Sequence, residues 1–170
     1  MKRFNVKERE YMYLIILIIG LTAIDQLSKL YMYNISNGEV GYSIPIIDNF
    51  FHLTYVENHG GIFGIFQGKI NYFTIISVIL IIYVIATEIK NFKKYDFPIK
   101  LGISIITAGA LGNMIDRIFR GFVIDMIDFR GVWGFVFNIA DMYIHIGLYI
   151  ILFVLIKKEY RKINKKKKER

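Results

Sequence analysis

The sequence predicts a mainly α-helical membrane protein: four transmembrane helices, short strands after the first, and a short amphipathic segment between helices 3 and 4. Three observations carry that prediction. Four long apolar runs, residues 11–33, 70–89, 99–118 and 140–156, divide the chain. The whole is 55% hydrophobic in 170 residues, which suits one strongly apolar domain over 1–170. Basic residues also cluster on one side of the runs. Four Lys and Arg precede the first run, four (Lys90, Lys93, Lys94, Lys100) follow the second and nine follow the fourth, so 17 of 22 share a side. Positive-inside then places both termini and the 90–100 loop in the cytoplasm.

The first run follows Lys2, Arg3, Lys7 and Arg9 and resembles the n- and h-regions of a signal peptide. No A-x-A-like site follows, and the apolar pattern continues to Tyr33. Its 23 residues make about 35 Å of helix, enough to span with tilt. Asp25 and Lys29 stand at i, i+4 near its outer end, where a structural ion pair is the expected use.

Residues 34–69 change to Gly, Asn, Ser and aromatics, with short alternating runs at 40–47 and 50–56 that predict strands. Glu57-Asn58-His59-Gly60-Gly61 reads two ways. It is a tight turn between strands, or an Asn amide and backbone edge that hold an extended peptide. The second run, residues 70–89, carries Asn71, Thr74 and Ser77 near its start. In the third, Ala108, Gly109 and Gly112 form a small-residue face for close helix packing. Asn113, Asp116 and Arg117 follow at its outer end, and the Arg117 fork has donors suited to a peptide carbonyl or a lipid ester oxygen.

Residues 121–141 then place Asp125, Asp128 and Asp141 near the ends of two apolar runs. An ionised side chain costs roughly 2.5–3.5 kcal/mol at the centre of a spanning helix and less near the interface, so such residues pair, line a wet cavity or do chemistry. Four spans with both ends inside bring Asp25, Lys29, Asn58, Asn113, Asp116, Arg117, Asp125, Asn138 and Asp141 to one depth at the outer surface. That convergence predicts a site.

The chain contains no Cys, which excludes thiol nucleophiles, Cys-based metal sites and disulfides. It also has no H-E-x-x-H, no Gly-rich phosphate loop and no Ser with a His base at plausible spacing. Asp141 and His145, at i, i+4, lack an evident third metal ligand. Carboxylates remain. Two close carboxylates do not both ionise readily, so one holds a proton while the other serves as a base for water, a pair able to hydrolyse an amide. The residues alone leave open whether Asp125 or Asp128 partners Asp141; if their loop is helical, the two lie about one turn apart and only one faces it. The other readings are an ion-coupled transporter, for which no internal repeat is evident, and a structural adaptor whose polar residues only pack. The basic run that ends the chain is a topology signal touching anionic lipid rather than a nucleic-acid patch.

Five motifs together resemble the boxes of lipoprotein signal peptidase, the signal peptidase II family: Asp25-Gln-Leu-Ser-Lys29, Asn58-His-Gly60, Gly112-Asn113-Met-Ile-Asp116-Arg117, Val123-Ile-Asp125-Met-Ile-Asp128 and Phe137-Asn138-Ile-Ala140-Asp141. The resemblance spans nearly the whole chain. It implies a four-helix aspartyl peptidase with an extracytoplasmic β-cradle, which removes the signal peptide of prolipoproteins before a diacylglyceryl-modified cysteine. It implies Asp125 and Asp141 as the catalytic dyad. Around it, Asp25, Lys29, Asn58, Gly60, Asn113, Asp116, Arg117, Asn138 and Ala140 would support the aspartates or contact substrate. It further implies the cell membrane as location, membrane lipid as a contact, no cofactor or metal, and inhibition by the cyclic peptide globomycin. A site built from one chain predicts a monomer. Two departures, Gly61-Ile62 after the cradle glycine and Ala108-Gly109 in place of a Gly pair, predict altered packing rather than lost activity.

Overall fold

The computed structural model describes residues 6–60, 75–76, 79 and 94–168. The second apolar run, the expected span at 70–89, lies outside the described residues apart from three isoleucines, as do Gly61, Ile62, Lys90 and Lys93. The described elements run α1 (Val6–Ser36), β1 (Ser43–Ile47), β2 (Phe51–Asn58), α2 (Phe97–Phe119), β3 (Val123–Phe129) and α3 (Ile139–Lys168). All three helices are long and apolar enough to cross a membrane. Large side chains such as Ile15, Ile16 and Ile19 on α1 and Phe153 and Ile156 on α3 are exposed, as lipid-facing residues are in a multi-pass protein.

Helix α1 passes without a break through Asp25 and Lys29, because both charges are satisfied inside the protein. It closes in a Schellman motif. Asn37 and Gly38 have positive φ (50° and 72°), Gly38 N–H donates to Tyr33 O at 3.2 Å and Asn37 N–H to Asn34 O at 3.3 Å. Helix α2 starts after extended Asp96 with Pro98 in its first turn, where the absent N–H costs nothing, and ends as Arg120 N–H returns to Asp116 O at 2.8 Å.

Helix α2 packs against both α1 and α3. The small-residue face predicted at Ala108, Gly109 and Gly112 makes that approach possible, and all three are buried. A Cβ on Gly109 would collide with Ala140 O of α3. One on Gly112 would collide with the Asp25 carboxylate of α1, with Ala140 Cβ at 3.3 Å. Gly112 therefore brings three chain segments together at the level of the polar residues.

The strands form one antiparallel sheet in the order β1-β2-β3. Where the sequence predicts a short amphipathic segment between helices and leaves its conformation open, residues 123–129 form strand β3, followed by turns. The apolar positions Val123, Ile124, Met126, Ile127 and Phe129 satisfy a helical period as well as a buried strand. What decides is a partner distant in sequence, since β2 offers its edge and pairs Asn58 with Val123, Val56 with Asp125 and Phe51 with Phe129. Between Leu53–Ile127 and Val56–Asp125 the register shifts, with Thr54 and Tyr55 opposite Met126 alone, a bulge that bends β2. Met32, Tyr55, Ile124 and Met126 form the buried cluster that fixes the sheet to the end of α1. A single bridge, Ile127 with Phe137, then carries the chain back beside β3 and delivers Asn138 next to Asp125.

Candidate active site

Two layers of polar groups meet where α1, α2, β3 and the start of α3 converge. The deeper layer is ionic. Lys29 Nζ lies 2.9 Å from Asp25 Oδ2 and 2.9 Å from Asp116 Oδ2, with all three side chains fully buried. Arg120 pairs with the other oxygen of Asp116 and donates to Gln26 Oε1 at 2.9 Å, giving two cations for two carboxylates. The spare lone pairs are also used. Asp25 Oδ1 accepts the Ala140 backbone N–H at 3.0 Å, and Asp116 Oδ2 accepts that of Ile124 at 3.2 Å. Gln26 Nε2 reaches Asp25, Gly112 O and Asp116 at 3.2, 3.0 and 3.1 Å. Asp25 thereby anchors the start of α3, and Asp116 anchors β3.

The upper layer holds Asp125 and Asp141. Lys29 Nζ also donates to Asn113 Oδ1 at 2.9 Å, which fixes the orientation of that amide and turns its Nδ2 toward Asp141 Oδ1 at 2.8 Å. Asn138 Nδ2 donates both to Asn113 Oδ1 at 3.1 Å and to Asp125 Oδ1 at 2.6 Å, so two amides connect the two carboxylates. Asn58 Nδ2 donates to the other oxygen of Asp125 at 3.0 Å, and Asn58 Oδ1 accepts the Gly60 N–H at 3.0 Å. Asn58 thus ties the backbone at Gly60 with its oxygen and turns its amide onto an aspartate, while Gly61, the rest of that stretch, lies outside the described residues.

Asp141 is held by the helix it begins. Asn138 Oδ1 accepts the Asp141 N–H at 3.0 Å and Asp141 Oδ2 accepts the Asn138 N–H at 3.3 Å, a reciprocal capping box at the positive end of the α3 dipole. Asp125 is 3% exposed, whereas Asp141 is partly open. Burial first, and then the neighbouring Asp141 carboxylate, push Asp125 up to about 7, against the hydrogen bonds from Asn58 and Asn138. Arg117 donates to Asn113 O at 3.2 Å and lies within electrostatic reach of Asp141 and Asp125. Its Nε is buried with no hydrogen-bond partner among the described residues.

All eleven residues expected at the site, Asp125 and Asp141 with Asp25, Lys29, Asn58, Gly60, Asn113, Asp116, Arg117, Asn138 and Ala140, are thus joined in one region. Asp128 is not. Three residues along a strand from Asp125, it faces the opposite side, accepting from Thr54 Oγ1 at 2.7 Å and Arg130 Nε at 3.1 Å. His145 Nδ1 lies 2.8 Å from the Asp141 backbone oxygen rather than its carboxylate.

The model of the family described as Signal peptidase (SPase) II matches residues 17–157, which contain every one of these site residues. The chain belongs to the signal peptidase II family. It is 47% identical over 148 residues to the lipoprotein signal peptidase of Fusobacterium nucleatum subsp. nucleatum, covering 87% of this chain and 88% of that one. To the lipoprotein signal peptidase of Clostridioides difficile strain 630 it is 46% identical over 146 residues, covering 85% and 94%. A bacterial membrane enzyme solved by the in meso method at 2.3 Å resolution matches with a TM-score of 0.76 at 34% identity, over 88% of this chain and 91% of its own. Membership in signal peptidase II makes this chain a peptidase and sets aside the transporter and adaptor readings.

Sequence reasoning missed Gln26, Arg120 and Tyr55. Gln26 stands inside the first motif beside Asp25, and a polar amide next to an intramembrane carboxylate was the available signal. Arg120 follows the end of α2, four residues after Asp116, which is helical pairing distance. Tyr55, whose hydroxyl donates to Glu57 at 2.9 Å, gave no signal beyond strand periodicity.

Proposed function

We propose that this chain is a lipoprotein signal peptidase that cleaves bacterial prolipoproteins immediately before the diacylglyceryl-modified cysteine, using Asp125 and Asp141 as a dyad sharing one proton. The observation that carries this reading is the pair itself: a buried Asp125 raised to about 7, linked to Asp141 through Asn138 and Asn113.

Asp125 holds the proton, and Asp141, the more open carboxylate, takes one from water. The water oxygen bonds to the scissile carbonyl carbon while Asp125 hydrogen-bonds to the carbonyl oxygen. As the C–N bond breaks, the amide nitrogen receives a proton, leaving a carboxylate on the signal peptide and a free amine on the cysteine. Asn58 and Asn138 hold Asp125 from both oxygens, and Asn113 holds Asp141. Lys29, Asp25 and Asp116 keep α1, α2 and α3 at the spacing the amides require. Arg117 has a free Nε donor for a peptide carbonyl or an ester oxygen of the substrate. Gly60 and the end of β2, which runs on past its pairing with β1, form part of the cradle rim that an extended peptide contacts.

Both termini lie in the cytoplasm and the dyad opens at the extracytoplasmic face of the cell membrane. A lipid-anchored substrate, diffusing in the membrane plane, there presents its scissile bond at the depth of the dyad. The protein acts as a monomer, and globomycin blocks it by occupying the dyad. The test is cleavage of a diacylglyceryl-prolipoprotein by the purified protein in lipid, with mass analysis of both products. Cleavage before the lipidated cysteine, stopped by globomycin, is the expected result. Cleavage elsewhere, or of unlipidated precursor equally well, contradicts the proposal.

A further inference from the structure

At the far end of α3 from the dyad, an open cavity of about 550 Å³ lies between α3 and the start of α2, lined by Asp96, Pro98, Tyr149, Phe153, Lys157 and Arg161 among others. That volume falls within the roughly 300–1,000 Å³ usual for ligand sites. Tyr149, Phe153, Lys157 and Arg161 recur every four residues, so they make one stripe down α3 that changes from aromatic to cationic. Tyr149 and Phe153 are 63% and 66% exposed, leaving their rings open along the wall. Lys157 Nζ stands 5.8 Å from the Phe153 ring centroid, bending its charge back toward the cavity.

The charges at the rim are unbalanced. Asp96, the lone carboxylate lining the cavity, is taken by Lys158 in an ion pair, while Lys157 and Arg161 have no carboxylate partner among the described residues. An apolar wall that ends in two free cations on one helix face matches a lipid with an acyl chain below and an anionic phosphodiester above. The depth matches too. Sixteen residues separate Asp141 from Lys157, about 24 Å along the helix, which places these cations at the opposite membrane surface from the dyad.

We infer that this groove is a binding site for an anionic phospholipid of the leaflet opposite the active site. Its acyl chain lies along Tyr149 and Phe153, and its phosphate sits between Lys157 and Arg161. This goes beyond the general attraction of the basic C-terminal run to a charged surface, because it assigns a bound lipid to one groove. It does not depend on the catalytic reading.

The test is native mass spectrometry of the full chain in detergent supplied with equal amounts of phosphatidylglycerol and phosphatidylcholine. Wild type should retain phosphatidylglycerol preferentially. The double variant Lys157→Gln/Arg161→Gln should lose that preference roughly thirtyfold, from two cations near a phosphate. Lys166→Gln/Lys167→Gln, the same charge change further along α3, should keep it. Val154→Trp, which narrows the groove and leaves every cation, should also lose it. Melting curves of all these variants in the same detergent should match that of wild type, which shows that each is folded. Equal loss from the distal pair, full retention by Val154→Trp, or displacement of the lipid by millimolar inorganic phosphate alone would overturn the inference.

Discussion

Asn138 Nδ2 lies 2.6 Å from Asp125 Oδ1, and the same side chain caps the helix that carries Asp141. One residue therefore sets both carboxylates. Asn138→Ala removes the donor on Asp125 and the α3 cap together. Loss of the cap costs roughly 1 kcal/mol of stability, while activity should fall about a hundredfold or more, because the geometry of the pair is released. Asn138→Asp keeps a cap acceptor but sets a second buried carboxylate against Asp125, and should recover neither activity nor full thermal stability. Parallel melting curves and cleavage rates check both.

Lys29 is fully buried between Asp25 and Asp116 and orients Asn113. Lys29→Met leaves two carboxylates in the interior with their shared cation gone, a loss of roughly 3–5 kcal/mol. The expected outcome is poor accumulation in membranes and a large drop in melting temperature. Adding Asp25→Asn and Asp116→Asn to Lys29→Met should recover part of that stability. Expression level and thermal unfolding in detergent measure it.

Asp128 faces Thr54 and Arg130 on the side of β3 away from Asp125. Asp128→Asn should keep cleavage within about threefold of wild type and cost about 1 kcal/mol, since Arg130 is half-exposed and, although Asp128 is largely covered, an Asn carbonyl oxygen can still accept from Thr54. A steady-state comparison with wild type decides the point that the sequence alone left open.

The raised Asp125 has a signed consequence for pH. Its folded value of about 7 stands above the ordinary carboxylate value of 3.8, so the folded protein binds a proton that the unfolded chain releases between these limits. The stability from this group is complete below 3.8 and declines as pH rises toward and through 7. Wild type should therefore lose melting temperature between pH 5 and 8, and Asp125→Asn should show a flatter profile over the same range. Equal slopes would remove Asp125 as the proton holder. The rate should likewise fall on the alkaline side, with an apparent value that belongs to the pair.

How far the sequence reached can be argued from these residues. The polar positions were legible because Asp25, Lys29, Asn113, Asp116 and Asp141 interrupt apolar runs where each needs a reason to be present. Gly109 and Gly112 were legible as a packing face for the same reason, since little else brings helices together in lipid. β3 was not legible. Its apolar spacing fits a helix or a strand, and the pairing of Val56 with Asp125 joins residues far apart in the chain. With the strand unread, the opposite faces of Asp125 and Asp128 were hidden as well. Arg120 was hidden by its place just past the end of a helix, where a basic residue commonly faces water.

The most direct test of the dyad is the single-turnover cleavage rate of a diacylglyceryl-prolipoprotein by wild type, Asp125→Asn and Asp141→Asn, each reconstituted in the same lipid and checked for folding by its melting curve. The account predicts folded variants whose rates fall roughly a thousandfold or more, consistent with loss of the acid in one and of the base in the other. A folded Asp125→Asn or Asp141→Asn that cleaves within tenfold of wild type would contradict it.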